Sequence, residues 1–210
     1  YEPGDEPARI DWKLYARSDR YFVREADRES EIGIWFVLDC SRSMAMRSEG
    51  GAWTKFEYAR HLLATLSYLA QRQGDMIGLL AAGGDQRSFL PLASGERHWH
   101  QLLKQLARLE PRDRFPPATE LGHALRSLQA PGLVILISDF HEAADEWVEL
   151  VRQASTPRNE VAAIQLLCRD EREFPWRGAI RFEDLESGET VLVSGKEARK
   201  AYLERMTEWQ

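Results

Sequence analysis

The chain carries a cluster of oxygen-bearing side chains at a spacing that suits a metal ion. An apolar run over residues 32–38 ends at Asp39, and Ser41 and Ser43 follow at two-residue intervals. A carboxylate and two hydroxyls at the end of a rigid strand are ligands that a hard divalent cation prefers. The pattern therefore predicts a cation site. Mg²⁺ is favoured over Mn²⁺ or Ca²⁺, because octahedral geometry with retained waters needs few protein ligands.

Two further oxygen-bearing residues stand where predicted elements begin or end. Thr119 lies at the start of a predicted helix that follows a proline-rich loop, and Asp139 ends an aliphatic run over residues 133–137. In a parallel sheet the ligand site lies beyond the carboxyl ends of the strands, where the strand order reverses. We therefore expect the strands that end at Asp39 and Asp139 to lie side by side and to flank this site.

Each of these residues also has an ordinary structural interpretation. The side chains of Asp39, Ser41 and Ser43 could cap the following loop through hydrogen bonds to the backbone. Thr119 could be a simple helix N-cap. Taken singly these interpretations are the stronger ones, but the combination with Asp139 favours a metal site.

Apolar periodicity predicts an α/β fold around these residues. Strands alternate with amphipathic helices along most of the chain, which is typical of a parallel sheet covered on both faces. A capping box at Thr54 and Glu57 opens the first confident helix. We predict a doubly wound, mostly parallel six-stranded sheet with helices on both faces and one antiparallel edge strand. The predicted strands are 32–38, 76–82, 88–92, 133–137, 161–168 and 190–193.

Composition narrows the classes of partner and the compartment. The 210 residues have a formal charge of −6, which disfavours nucleic acid as a partner. Two cysteines without paired spacing, Cys40 and Cys168, indicate a reduced, cytoplasmic protein. No apolar run is long enough to span a membrane. The chain begins at Tyr1 rather than Met, so we expect a fragment or a processed product. A membrane tether could precede Tyr1.

The amino end predicts an extension to the main domain. Residues 1–30 are polar and are expected to form an extended arm, and residues 31–210 to form the α/β domain. Basic and aromatic residues are interleaved over residues 9–28, a pattern that could contact single-stranded nucleic acid. Acidic residues in the same stretch largely offset that charge, so a solvated arm is the favoured interpretation.

Histidine and tryptophan positions give weaker signals. The five histidines have no metal-ligand spacing beyond the weak pair His98 and His100, so surface or helix-face positions are expected. Trp53, Trp147 and Trp176 could anchor a partner, but packing in or beside the core is favoured.

The motif from Asp39 to Ser43, with Thr119 and Asp139 in the same order, resembles the metal-ion-dependent adhesion site of von Willebrand factor type A domains. The resemblance covers about residues 30–210 and implies that the first and fourth strands are neighbours. It also implies that Ser41 and Ser43 coordinate the cation directly, and Thr119 directly or through water. Asp39 and Asp139 would hold coordinated waters or bind directly.

A narrower resemblance comes from the two ends of the chain. Residues 1–5 (Tyr-Glu-Pro-Gly-Asp), 9–13 (Arg-Ile-Asp-Trp-Lys) and 16–17 (Ala-Arg) are similar to the signature that precedes this fold in the bacterial "domain of unknown function fifty-eight" family. Residues 182–189 are similar to the closing region of that family. The resemblance implies a function together with MoxR-type AAA+ ATPases in the assembly or activation of other proteins.

Three functions remain open from the sequence. The favoured one is a non-enzymatic, metal-dependent protein-interaction module, in which a partner carboxylate completes the coordination of the cation. The second is a phosphoester hydrolase with Asp39 as nucleophile, but Ser41 stands where that chemistry expects a second aspartate. The third is a scaffold whose site holds no metal.

Overall fold

A five-stranded central sheet organises the computed structural model, which describes residues 32–141, 144–183 and 188–209. Its strand order is β3-β2-β1-β4-β5, with β3 antiparallel to β2 and the other neighbours parallel. The strands are β1 Gly33–Asp39, β2 Met76–Gly83, β3 Gln86–Ala93, β4 Gly132–Ser138 and β5 Asn159–Gln165.

Helices cover both faces of this sheet. The helices are α1 Lys55–Gln73, α2 Glu96–Leu106, α3 Ala118–Ser127, α4 Ala144–Ala154, α5 Arg169–Glu173 and α6 Gly195–Trp209, and a 3-10 turn spans Arg42–Ala45. Apolar residues of α1 and α2 share a core with one face of the sheet. Those of α3 and α4 share a second core with the opposite face. The predicted doubly wound α/β fold is therefore confirmed.

Strand β1 lies at the centre of the sheet and is buried on both sides. Phe36 and Leu38 point into the core beneath α1 and α2, whereas Trp35 and Val37 point into the core beneath α3 and α4. A strand that is covered on both faces reads as a continuous apolar run rather than an alternating one. This burial fixes the position of Asp39, with which β1 ends.

The carboxyl ends of β1 and β4 lie side by side. The two strands are parallel, and Leu38 is paired with Ile137. Strand order reverses at β1, because β2 and β4 flank it on opposite edges. The predicted adjacency is therefore confirmed, and Asp39 and Asp139 leave the sheet at the same edge.

Helix α1 begins at the predicted capping box. The Thr54 hydroxyl accepts a hydrogen bond from Glu57 N (3.0 Å), and the Glu57 carboxylate accepts one from Thr54 N (2.8 Å). These two bonds satisfy backbone donors that the first turn of a helix leaves without partners. They also fix Lys55 as the first helical residue, at the same edge of the sheet as Asp39.

The predicted strand list needs three corrections. The central sheet has five strands among the described residues, not six. β5 ends at Gln165, and Cys168 caps α5 instead of continuing the strand. The predicted strand near residues 190–193 is β7, Thr190–Ser194, which pairs antiparallel with a strand that was not predicted, β6, Ala179–Glu183. These two strands form a separate two-stranded sheet. A hydrogen bond from Gly195 N, just after β7, to Gly178 O, just before β6, closes its end at 2.7 Å.

Some predictions fall outside these residues or are tested only in part. The predicted arm, residues 1–30, lies outside the described residues, so the division into arm and domain stays a prediction. None of the described helices combines the length and apolar character that crossing a bilayer requires.

Cys40 and Cys168 are free and buried. Trp147 is buried as predicted, whereas Trp53 is half exposed to solvent.

Candidate metal centre

Asp39 is buried at the end of β1 and both its carboxylate oxygens are hydrogen-bonded. Oδ1 accepts from Ser41 N at 2.7 Å, and Oδ2 accepts from the Ser138 hydroxyl at 2.5 Å. The side chain is only 2% exposed. Burial, with a smaller contribution from the neighbouring charge of Asp139, raises the pKa of Asp39 to about 6 against the opposing effect of these hydrogen bonds. A cation beside Asp39 would offset this cost.

Ser41 and Ser43 bring two hydroxyl oxygens together immediately after Asp39. The 3-10 turn places Ser41 Oγ and Ser43 Oγ 3.1 Å apart, with Ser41 buried and Ser43 half-buried. Two adjacent ligands of an octahedral cation, each at 2.0–2.1 Å, are separated by about 2.9 Å. The two hydroxyls therefore need only a small adjustment to bind the same ion.

The structural alternative is correct for Asp39, whereas the Ser41 hydroxyl contacts the side chains of Asp39 and Ser43 and does not cap the backbone. Asp39 accepts a hydrogen bond from the backbone two residues on, as a loop-capping aspartate would. Ser41 is the N-cap of the 3-10 turn, yet its side chain makes no capping hydrogen bond. The two hydroxyls share a hydrogen bond in which one oxygen accepts from the other, and each oxygen keeps at least one further lone pair that could bind a shared ligand.

Asp139 lies directly after β4 and is held by a buried lysine. Asp139 Oδ2 accepts a hydrogen bond from Lys55 Nζ at 2.6 Å, and Oδ1 accepts from His141 N at 3.1 Å. Lys55 Nζ also lies 2.7 Å from Glu171 Oε1 in α5. Burial disfavours the ammonium, but the two carboxylates outweigh this effect and raise the pKa of Lys55.

Glu171 is the third charged residue of this buried network, and it lies in α5, the short helix that follows β5. Its other carboxylate oxygen accepts from Cys168 N, and Oε1 lies 3.3 Å from His141 Nε2. Burial works against ionisation, but the hydrogen bond from His141 and the charge of Lys55 prevail, so the pKa of Glu171 is lowered. Lys55, His141 and Glu171 are residues that the sequence analysis missed.

Asp139, His141 and Glu171 are themselves a possible group of metal ligands. One ligand atom from each lies within 4.8 Å of the others. The Lys55 ammonium already contacts both carboxylates, so a divalent ion there would have to displace a positive charge. The uncharged hydroxyls of Ser41 and Ser43 present no such obstacle, which makes them the better-suited position.

Thr119 occupies a different setting from the one predicted. It is the second residue of α3 and is exposed, and Pro117 holds the N-cap position without a side-chain cap. The interpretation of Thr119 as a simple N-cap is therefore wrong. The loop before α3 does contact the serine motif, because Arg42 N donates to Asp113 O at 2.7 Å and Arg112 N donates to Cys40 O at 2.8 Å. Coordination by Thr119 stays a prediction.

The fold is that of a von Willebrand factor type A-like domain. The strand order, the adjacent first and fourth strands and the oxygen-bearing residues at their carboxyl ends match the pattern that the sequence predicted. The chain belongs to the family described as "Protein of unknown function DUF58", whose model matches residues 1–210.

The chain is also similar to curated relatives in sequence and to solved structures in fold. The chain is 30% identical over 192 residues to "Uncharacterized protein Rv1480" of Mycobacterium tuberculosis (strain ATCC 25618 / H37Rv), covering 90% of this chain but 59% of that protein. Conserved hypothetical protein BatB from Bacteroides thetaiotaomicron has a similar fold, with TM-score 0.53, 16% identity and coverage of 82% and 84% of the two chains. An aerotolerance-related membrane protein from Bacteroides fragilis NCTC 9343 gives TM-score 0.56, 18% identity and coverage of 82% and 86%.

Proposed function

We propose that this domain is a metal-ion-dependent protein-interaction module whose cation binds at Ser41 and Ser43 and accepts a carboxylate from a partner protein. The observation that carries the proposal is the 3.1 Å separation of the two hydroxyl oxygens beside the buried Asp39 carboxylate. Thr119 and Asp139 would complete the site directly or through coordinated water. Mg²⁺ is the proposed ion, with Mn²⁺ or Ca²⁺ as substitutes.

The charge of the site favours binding of an outside carboxylate. Neutral hydroxyl ligands leave most of the cation's positive charge uncompensated. Asp139 is paired with Lys55, so its negative charge is already offset within the protein. The cation therefore retains its attraction for an acidic side chain, and a coordination position held by water can be exchanged for it.

The Asp39 carboxylate is poorly placed to act as a nucleophile. Its side chain is almost fully buried and both oxygens accept hydrogen bonds, so a phosphoester has no open approach to it. This geometry supports a non-enzymatic module over a hydrolase that uses Asp39 as nucleophile.

The proposed partner is a MoxR-type AAA+ ATPase, or a client protein assembled with it, in the cytoplasm. The family resemblance of the chain ends implies this partner, and the curated relatives extend well beyond the region that this chain matches. The chain spans about 59% of their length, so their remaining regions could carry additional contacts or a membrane tether.

The partner proposal is tested by association of the chain with a purified MoxR-type AAA+ ATPase from the same organism. We expect binding in Mg²⁺ that is lost in EDTA and in the Asp39→Ala/Ser41→Ala variant. Ser155→Ala/Glu160→Ala is the control, because both residues are exposed and Glu160 lies at the amino end of β5, whereas the site lies at the carboxyl ends of the strands. Binding that is equal in EDTA, or unchanged in the Asp39→Ala/Ser41→Ala variant, would show that no metal bridge is involved.

A further inference from the structure

A groove of about 800 Å³ runs along most of α6, from Gly195 to Thr207, far along the chain from the serine motif. Residues 176–178, which precede β6, form its other wall. Gly195 N donates a hydrogen bond to Gly178 O at 2.7 Å, which holds the two walls together. The closeness of the backbones requires glycine at 195, since an added Cβ would lie 2.7 Å from Trp176 O.

The groove is basic in a protein that is acidic overall. Four cationic side chains line it, against the single acid Glu204, while the whole chain has a formal charge of −6. The cationic residues are Arg177, Lys196, Arg199 and Lys200. This concentration of positive charge would attract a short acidic ligand locally.

Two of these cations are available for a ligand. Arg177 and Lys196 are exposed and have no ion-pair partner among the residues that the structure describes. Lys200 lies 3.8 Å from Glu204, but both side chains are mostly exposed, so this pair is weak. Arg199 is held in place, because its guanidinium donates to Phe174 O and Glu173 O.

The groove also offers an ordered apolar surface. Trp176 is half-buried, and its ring packs edge-on against Phe174 at 5.2 Å and against Phe182 at 5.4 Å between centroids. Leu203 of α6 lines the same groove. A tryptophan that is fixed by its neighbours and surrounded by cations is a typical anchor for a partner side chain.

We propose that this groove binds an acidic segment of a partner protein, with a bulky apolar side chain against Trp176 and Leu203 and flanking Asp or Glu residues on Arg177 and Lys196. The concave shape favours a peptide segment over the flat surface of a bilayer. The acidic charge of the rest of the chain disfavours a long nucleic acid, which would extend beyond the groove. None of the residues that line the groove belongs to the candidate metal centre.

A labelled peptide tests this proposal directly. The probe is a fluorescein-labelled 12-residue peptide with glutamates on both sides of a central phenylalanine, titrated with the chain and followed by anisotropy. We expect saturable binding that weakens about tenfold or more in Arg177→Glu/Lys196→Glu and at high salt. Lys196 lies in the first turn of α6, where a glutamate is compatible with the helix.

Matched controls locate the binding. Arg126→Glu/Arg158→Glu makes the same change of charge at exposed positions outside the groove and should bind like the unchanged chain. A peptide with lysines in place of the glutamates should bind Arg177→Glu/Lys196→Glu better than it binds the unchanged chain. Equal weakening in both double variants, or none in either, would overturn the proposal. So would tighter groove-dependent binding of single-stranded oligonucleotides or anionic vesicles than of the acidic peptide.

Discussion

The Lys55 ammonium lies 2.6 Å from Asp139 Oδ2, so the first residue of α1 neutralises the aspartate that follows β4. Both side chains are almost completely buried, and Glu171 provides a second carboxylate for the same ammonium. The edge of the sheet is therefore divided into two regions. An internal ion-pair network surrounds Asp139, and an uncharged pair of hydroxyls lies beside Asp39.

Replacing Lys55 by methionine should strongly destabilise the fold. The substitution leaves Asp139 and Glu171 buried without a compensating cation, and breaking a buried pair in this way costs about 3–5 kcal/mol. The free energy of unfolding, measured by urea denaturation, tests this expectation. Lys104→Met is the control, because Lys104 is exposed on α2. A loss below about 1 kcal/mol would show that the network contributes little.

The same Lys55→Met substitution should also create affinity for divalent ions at a second position. Without the ammonium, Asp139, His141 and Glu171 can present their ligand atoms to a metal. We expect calorimetry with Zn²⁺ or Mn²⁺ to detect an additional binding site in Lys55→Met, and Glu171→Gln in that background to remove it. If the number of sites does not change, Lys55 is not what keeps metal out of this cluster.

Asp39 should make the stability of the metal-free protein depend on pH. Because burial raises its pKa from the ordinary value of 3.8 to about 6, the folded state binds this proton more tightly than the unfolded state. The contribution to stability is complete below about pH 3.8 and is lost as the pH rises through about 6. The shift corresponds to about 3 kcal/mol.

Comparison with Asp39→Asn isolates this effect from that of the other carboxylates. Folding lowers the pKa of several of those carboxylates instead of raising it. The free energy of unfolding of the unchanged chain, relative to Asp39→Asn, should fall between pH 4 and pH 6.5 in EDTA. Mg²⁺ should reduce the fall, because a bound cation stabilises the ionised carboxylate. Asp85→Asn, at an exposed position, should leave the pH dependence intact. Parallel curves for the unchanged chain and Asp39→Asn would contradict the prediction.

Thr54→Ala should weaken the start of α1 and so the placement of Lys55. The substitution removes the hydroxyl that accepts from Glu57 N, and loss of such an N-cap costs about 1 kcal/mol. Chemical denaturation measures the change. Thr65→Ala is a suitable control within the same helix, because the exposed Thr65 bonds only to a carbonyl one turn back. Equal effects of the two substitutions would show that the cap has no special importance.

Local sequence patterns predicted the parts of this fold that depend on neighbouring residues. Apolar runs that end in Asp39 and Asp139 identified the two buried strands, and the strand-helix alternation predicted their adjacency. The capping box of α1 was visible because its two residues are three apart. The serine pair was visible because its spacing is itself the motif.

Other parts depend on contacts that sequence cannot show. Lys55 donates hydrogen bonds to Asp139 and Glu171, which lie 84 and 116 residues further along the chain. Lysine is also ordinarily a surface residue. Glu171 lies in a five-residue helix, too short for an apolar period. Strand β6 has only five residues, in which the half-buried Ile180 and Phe182 alternate with exposed ones, and so short an alternation was not among the predicted strands.

Calorimetric titration of Mg²⁺ or Mn²⁺ into the chain at neutral pH tests the proposed metal site most directly. We expect binding of a cation that weakens at least about tenfold in Ser41→Ala/Ser43→Ala and is retained in the exposed-site control Ser155→Ala. Unchanged affinity and stoichiometry in the double variant would contradict it, because the ion would then bind without the two hydroxyls that are proposed to hold it.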